Sequence, residues 1–181
     1  MLEKDFEKQL VKLTEIISSR YYGKYVGKVK RIGDGDDLGF ITAMVPEIYG
    51  EVESPWAKPC VPFAGANFGF FMLPNADDLV WIEFEAGDIS RPIWSGFLWA
   101  GNELPELAEK QKRIIHTPSG NLIIFDDENR ELQLICDEIT ITMTQESVEI
   151  NAGNIITINS SSIEIDAGSK ITIDSSGVDV T

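Results

Sequence analysis

Three adjacent carboxylates, Asp126, Asp127 and Glu128, are the residues whose types and spacing come closest to acid–base chemistry, because paired carboxylates can serve as general acid and general base. His116 lies three residues before Ser119, and a histidine near a hydroxyl can act as base and nucleophile. Neither group is accompanied by a third orienting residue or by an oxyanion-binding motif. The sequence therefore predicts solvated turns at both places and a protein that is not an enzyme.

The sequence gives little support to a metal or cofactor site. Residues 33–39, GDGDDLG, contain acids without the D-x-D-x-D-G spacing and final glutamate of a calcium loop, and they predict a hairpin turn. Cys60 and Cys136 are far apart and form no C-x-x-C motif. Two such cysteines are expected to be small buried side chains in a protein that folds in a reducing compartment. No cofactor is predicted.

The charge balance argues against nucleic acid and anionic membranes as partners. The chain has 30 acidic residues against 15 Lys or Arg residues, which gives a net charge of −15. Such a surface repels phosphate backbones and anionic lipid headgroups. The charged N-terminus lacks the apolar core of a secretory signal, and no apolar run approaches the roughly 20 residues of a membrane helix. Four tryptophans could stack on bases, but with this charge they are predicted to pack in a core: Trp56, Trp81, Trp94 and Trp99.

An amphipathic helix is predicted over residues 2–19. Its apolar residues recur at steps of three and four, with Glu, Lys and Gln between them. This stripe needs a partner surface, either on its own domain or on another protein. The stripe consists of Leu2, Phe6, Leu10, Leu13 and Ile17.

The next part of the chain, residues 22–99, has the pattern of short β-strands. Five stretches rich in β-branched and aromatic residues are separated by Gly, Pro, Asn and Asp. Five strands in about 80 residues predict a small Greek-key barrel of the OB type. The stretches are YVGKVKRI, LGFITAMV, FGFFML, LVWIEFE and RPIWSGFLW.

A repeat of about eight residues fills the C-terminal part, after two strands joined by the acidic turn at 126–129. Each repeat is an apolar–polar–apolar triplet followed by small, turn-prone residues. One such repeat cannot offset the entropy of ordering it, so the apolar side chains must share a core. These side chains are Ile139, Ile141, Val148, Ile150, Ile156, Ile158, Ile163, Ile165, Ile171, Ile173, Val178 and Val180.

Two architectures would bury these side chains. A single chain wound as a β-solenoid would form only about two turns with two open ends, whereas stacked repeats usually need at least three units. Three chains wound around a common axis would form a triangular β-helix, or trimeric β-prism, filled by Ile and Val, and we favour this arrangement. The predicted fold is mostly β. It comprises an N-terminal helix at 1–20, a five-stranded OB-fold barrel at 21–100, a linker at 101–115 and a trimeric β-helix spike at 116–181.

Two stretches contain distinctive sequence motifs. Residues 84–99, FEAGDISRPIWSGFLW, place an acidic Gly-Asp turn before Arg-Pro and an aromatic strand, and residues 116–128, HTPSGNLIIFDDE, place Ser-Gly before an apolar strand and an Asp-Asp turn. With the order of barrel, connector and repeat, they resemble the central spike proteins of contractile phage tails, the baseplate assembly protein V family, and the hub-spike proteins of type VI secretion systems. The matching residues are Gly87, Asp88, Arg91, Pro92, Trp94 and Gly96 in the barrel, and Ser119, Gly120, Asp126 and Asp127 at the spike entry.

The resemblance implies a homotrimer in the tail baseplate of a virion, made in the cytoplasm of a bacterial host. The barrels would form a ring under the tail tube, in contact with hub and tube proteins. The spike would be driven through the host outer membrane when the sheath contracts. The connector is too short for the lysozyme domain that some members carry, and no His-x-His motif is present to bind iron at the tip. The chain ends GVDVT, so a separate tip-cap protein is predicted to contact Val178, Val180 and Thr181.

One alternative from another functional class remains open at this point. A monomeric β-solenoid carrying an OB module could act as a surface-binding or adhesin-like protein. Polysaccharide binding would call for a ladder of aromatic side chains on one face, and residues 132–181 contain no Phe, Trp or Tyr. Oligomeric state separates the two interpretations.

Overall fold

The structure is a computed structural model that describes residues 2–172, with side chains from residue 5 onward. The chain divides between Leu104 and Pro105 into two compact units. Four residues of the predicted spike core and tip contact, Ile173, Val178, Val180 and Thr181, lie outside the described residues. Within 2–172 there is no helix with the length and apolar character that crossing a bilayer requires.

The first unit begins with helix α1, Leu2–Ser18, which confirms the helix predicted from the 3–4 spacing. The chain leaves the helix after Ser18, and the amide N of Ser19 still donates to the carbonyl O of Glu15 at 3.0 Å. The apolar stripe is not covered by any other part of the chain that the structure describes, because its side chains from Phe6 to Ile17 are all more than half exposed.

A five-stranded barrel follows the helix, and its strands lie in the order β2-β1-β6-β7-β3. Strands β3 and β7 are parallel, and the other neighbours are antiparallel. The ring closes where Ile41 and Ala57 exchange two backbone hydrogen bonds of 3.2 and 2.7 Å. Closure removes the open edges that a sheet of this size would otherwise expose. The elements are β1 Tyr25–Ile32, β2 Ile41–Met44, α2 Pro46–Tyr49, β3 Lys58–Pro59, β4 Ala64–Gly65, β5 Phe68–Gly69, β6 Leu79–Phe84 and β7 Pro92–Leu98.

One of the five predicted barrel strands is wrong. The stretch FGFFML at 68–73 contributes only Phe68–Gly69, which pairs with Ala64–Gly65 in a small hairpin outside the five-stranded sheet. The fifth barrel strand is instead Lys58–Pro59. The physical reason is burial: the side chains from Phe68 to Met72 are exposed, so this stretch has no buried face with which to join the barrel.

The barrel core follows the alternation of the strands. On β6 every second side chain is buried, and the same alternation places the buried residues of β1 and β7 on the inside. The turn predicted at residues 33–39 is present, and the amide N of Gly33 donates to the carbonyl O of Phe40 at 2.8 Å. The core consists of Val29, Ile41, Ala43, Val45, Ala57, Val80, Ile82, Phe84 and Trp94.

Two predictions of burial need correction. Of the four tryptophans only Trp94 lies in the core, whereas Trp81 is partly exposed and Trp56 and Trp99 are exposed. Trp56 lies on the surface with the guanidinium of Arg31 5.1 Å from its ring centroid, a cation–π contact that an exposed ring can make. The free cysteines Cys60 and Cys136 are also exposed rather than buried, and Cys60 directly follows the two-residue strand β3.

The second unit is a five-stranded antiparallel meander in the order β12-β11-β10-β9-β8. The predicted acidic turn joins β9 to β10, where the carboxylate of Asp126 accepts hydrogen bonds from the backbone of Glu128 and Asn129 at 3.1 and 3.0 Å. The segment assigned to a linker ends earlier than predicted, because Lys112–His116 is a strand that pairs with β9. The strands are β8 Lys112–His116, β9 Leu122–Asp126, β10 Glu131–Cys136, β11 Ile139–Met143 and β12 Val148–Asn151.

The first two repeat triplets form β11 and β12, but the single chain forms no strand over the described residues 152–172. The repeat isoleucines there have no cover from their own chain, and Ile158 is 67% exposed. The triangular β-helix therefore remains a prediction at this point.

Candidate functional site

The barrel motif predicted at 84–99 forms the turn between β6 and β7, and it anchors the segment that leads in from α1. Ala86 and Gly87 adopt left-handed backbone conformations, with φ of 53° and 75°. The carbonyl O of Gly87 accepts a hydrogen bond from the amide N of Tyr21 at 2.9 Å. The Nη1 atom of Arg20 donates to the carbonyl O of Ala86 at 3.3 Å. The turn thus fixes where the helix joins the barrel.

The charged residues of this motif hold the turn in shape. The carboxylate of Asp88 accepts hydrogen bonds from the hydroxyl and amide of Ser90 at 2.8 and 3.0 Å, and these bonds lower the pKa of Asp88. The Nη1 atom of Arg91 contacts the Oε1 atom of Glu85 at 3.0 Å. All four groups are solvent-accessible, so each pair contributes little stability, and their contacts hold the shape of the turn.

Trp94 connects this motif to the barrel interior. Its ring is buried, and its Nε1 atom donates to the carbonyl O of Gly39 at 2.9 Å, which ties β7 to the loop after β1. Pro92 is buried beside it. Gly96, with φ of 116°, lies where the β6–β7 register shifts, as a glycine in a β-bulge does. All six predicted motif residues therefore have a structural role. The turn contains Gly87, Asp88 and Arg91, the buried interior contains Pro92 and Trp94, and the bulge contains Gly96.

Between β3 and β6, residues 63–72 contain the hairpin of β4 and β5 and carry exposed phenylalanines, and we call this segment the aromatic hairpin. Phe63 and Phe68 stack with ring centroids 6.3 Å apart, and both remain exposed. Beside them an apolar cleft of about 450 Å³ is lined by the hairpin, by Leu38 and by Trp94. An exposed apolar group of this kind on a folded domain indicates a contact surface for another protein.

The register of the meander places its large apolar side chains on one face. Ile115 pairs with Ile123, which pairs with Leu134, which pairs in turn with Ile141 and then Ile150. Side chains directly opposite each other in neighbouring strands point to the same face, and so do residues two apart along a strand. We call this set the apolar face, which consists of Ile115, Ile123, Phe125, Leu132, Leu134, Ile139, Ile141, Met143, Val148 and Ile150.

The apolar face is not covered by the described part of its own chain. Phe125 is 47% exposed and Ile150 is 52% exposed, although both belong to paired strands. The opposite face of the last two strands carries Thr140, Thr142 and Glu149. The last two strands of the meander therefore have one polar side and one apolar side, and the exposed apolar side is a surface that a partner could cover.

The structure brings together some predicted site residues and separates others. Ile139, Ile141, Val148 and Ile150 share the apolar face. Ser119 and Gly120 lie in the β8–β9 turn, where the amide N of Gly120 donates to the carbonyl O of Thr117 at 2.9 Å. Asp126 and Asp127 lie at the β9–β10 turn, at the other end of β9. Among the residues described, no three His, Cys, Asp or Glu side chains are grouped to hold a metal ion. Within the described residues beyond the meander, the predicted core residues that the single chain leaves exposed are Ile156, Ile158, Ile163, Ile165 and Ile171.

A comparison with protein families identifies the barrel. Residues 25–99 match the family described as the type VI secretion system/phage-baseplate injector OB domain. The barrel belongs to this family. The matched residues run from the start of β1 to just beyond the end of β7, and the resemblance drawn from residues 84–99 is therefore confirmed. No match to a curated protein was found. The injector OB domain supports a role in a phage baseplate or a related injector, in association with other baseplate or tail proteins.

Sequence reasoning missed most of the apolar face. The two strands before the repeat contain apolar residues at consecutive positions, as in LIIF, so their alternation gives no sign of which side is exposed. Only the pairing register shows that Ile123 and Phe125 point one way and that the buried Ile124 points the other.

Replacing Gly87 in the injector OB domain is expected to destabilise it more than replacing Gly35. Both have left-handed φ, 75° and 53°, so an alanine costs about 1 kcal/mol at either position. A Cβ at Gly87 would also lie 3.1 Å from Tyr21 N and from Arg20 Cβ, whereas a Cβ at Gly35 meets nothing within 4 Å. We expect Gly87→Ala to cost about 1 to 3 kcal/mol more, because this close contact forces the neighbouring chain to shift. Urea unfolding of both variants measures the difference, and equal losses would show that the anchoring turn tolerates the side chain.

Proposed function

We propose that this protein is the central spike of a contractile injector baseplate, a non-enzymatic homotrimer whose C-terminal part forms a rigid needle. The observation that carries the proposal is the exposed apolar face on a chain that also contains an injector OB domain. Three copies that turn these faces toward a common axis would bury them together. Burial of apolar surface of this kind is worth about 25 cal/mol per Å² and is the main driving force of obligate association.

The repeats at 152–172 extend the same interior. Their apolar–polar–apolar triplets continue the alternation of β11 and β12, and their isoleucines are exposed in the single chain. A strand with one apolar face and no neighbour is unstable alone, because too few contacts offset its ordering entropy. Strands from two further copies would supply the backbone hydrogen bonds and the apolar cover that each copy lacks.

Such a needle suits force transmission. Its interior would be filled by Ile and Val, which are stiff at χ1, and its backbone would be hydrogen-bonded along its length. A closed prism has no lateral strand edges to open under load. We therefore propose that sheath contraction drives this needle through the host outer membrane, with the barrels held at the baseplate axis in a virion tail.

The aromatic hairpin supports the proposal that the barrel attaches to other baseplate proteins. Phe68 and Phe71 are 64% and 67% exposed on the injector OB domain, and the cleft beside them is apolar. A hub or tube protein with complementary apolar side chains would cover this surface, since aromatic residues dominate binding at protein interfaces.

The solution mass of the full-length protein tests the proposal. Light scattering on a sizing column should give about 60 kDa, three times the 20.1 kDa chain, and the trimer should persist in mild denaturant. A mass of 20.1 kDa would overturn the spike, because the apolar face and the repeats would then be covered within one chain. That result would favour the monomeric surface-binding solenoid.

A further inference from the structure

Helix α1 carries an apolar stripe that the trimeric prism does not use. Phe6, Leu10, Leu13 and Ile17 follow one another at steps of four, three and four residues. This is the spacing of the a and d positions of a coiled coil, with Leu10 and Ile17 at a and Phe6 and Leu13 at d. The stripe therefore has the period that lets the helix pack against a second helix from Phe6 to Ile17.

The charges of α1 are placed so that identical helices can approach each other. Positions e and g flank the contact seam, and here they hold Glu7, Gln9, Thr14 and Ile16, of which only Glu7 is charged. From Asp5 onward the remaining charges lie at outward positions, for example Lys8, Lys12 and Glu15, whereas Glu3 falls at an a position before Phe6. Like charges at e and g would oppose association of identical helices, and this seam has only one such position.

The base of the helix is fixed to the barrel. The hydrogen bonds from Tyr21 N to Gly87 O and from Arg20 Nη1 to Ala86 O hold the segment that follows α1 at the β6–β7 turn. In a trimer, three such anchor points lie around one symmetry axis, which raises the local concentration of the helices without any new contact. A helix of 17 residues, about 25 Å long, is marginal alone but can be stabilised in this way.

We propose that α1 of each copy packs against α1 of two further copies, as a parallel three-stranded coiled coil with the stripe from Phe6 to Ile17 at its centre. This inference rests on the homotrimer of the proposed function. It assigns the helix to self-association rather than to the aromatic hairpin or to a hub protein. The bundle clamps the barrel end of the trimer, while the apolar face and repeats hold the other unit together.

Cysteine cross-linking in the full-length protein tests the bundle. Because Cys60 and Cys136 are exposed, both are first replaced, Cys60 by serine and Cys136, which pairs with Ile139 on the apolar face, by alanine. Leu13→Cys then places a thiol on the seam, and Val11→Cys places one on an outward position with the same 58% exposure. With a short bis-maleimide reagent, we expect Leu13→Cys to form linked dimers at least tenfold faster than Val11→Cys, with both proteins still near 60 kDa, three times 20.1 kDa, by light scattering.

The outcomes distinguish failure of the coiled-coil proposal from failure of the proposed spike. A trimer in which both thiols cross-link at the same rate, or in which neither does, overturns the coiled coil and leaves the proposed spike standing. A cysteine-free parent with a mass of 20.1 kDa overturns both. As a second readout, adding Leu10→Glu to the Leu13→Cys protein should slow its cross-linking at least tenfold in a retained trimer, and an unchanged rate also overturns the coiled coil.

Discussion

Ile150→Asp is expected to convert the protein from a trimer into a monomer. In the single chain Ile150 is 52% exposed, so a carboxylate at this position costs the isolated meander little. In the proposed assembly the same change places three carboxylates in one layer of an apolar interior, where unpaired charge is strongly disfavoured. Even without the charge, three Ile truncations at about 2 kcal/mol each would remove about 6 kcal/mol per trimer. Light scattering and resistance to denaturant measure the result.

The neighbouring residue gives a matched control. Asn151→Asp adds the same charge one residue later, on the other face of β12, and should leave the mass near 60 kDa, three times 20.1 kDa. In injector particles that contain the protein, Ile150→Asp should also abolish release of a periplasmic marker from host cells, whereas Asn151→Asp should not. If both variants remain trimers of equal stability, the apolar face does not lie in the trimer interior.

The alternation of buried side chains made most of the barrel predictable. The sequence YVGKVKRI coincides with β1, and in LVWIEFE every second residue of β6 is buried. These strands are long enough for period-2 burial to appear in the sequence itself. The fifth strand, Lys58–Pro59, could not be found in this way. Two residues carry no period, and their place in the sheet is set by pairing with β7 across more than 30 residues.

Burial is harder to predict for strongly apolar stretches that lie on the surface of the barrel. FGFFML has the composition of a buried strand, yet its side chains from Phe68 to Met72 lie on the surface beside an apolar cleft. The sequence likewise predicts Trp56 and Trp99 in the core, and both are exposed. Composition measures how much apolar surface a stretch brings, and only the fold decides whether its own domain or a partner covers it. The repeat triplets pose the same problem, since no single chain can show what fills their interior.

Trp94→Ala is expected to be the most damaging single change in the injector OB domain. The ring is 2% exposed and packs against Phe97 with centroids 5.8 Å apart, and its Nε1 atom donates a hydrogen bond to the carbonyl O of Gly39. Truncating a buried aromatic side chain leaves a cavity and costs about 3 to 5 kcal/mol, and the Gly39 carbonyl would also lose its partner. Urea unfolding followed by far-UV circular dichroism should show this loss in the barrel transition.

Trp99→Ala is the control, because this tryptophan lies five residues away and is 64% exposed. Removing a side chain that is mostly in water leaves little cavity, so the loss should be within about 0.5 kcal/mol. Comparable losses at the two positions would mean that Trp99 is covered in the assembled protein, by another copy or by a baseplate partner. A small loss at both would contradict the role of Trp94 as the side chain that joins β7 to the loop after β1. The difference between the two losses in free energy of unfolding therefore measures how much more Trp94 than Trp99 contributes to the stability of the barrel.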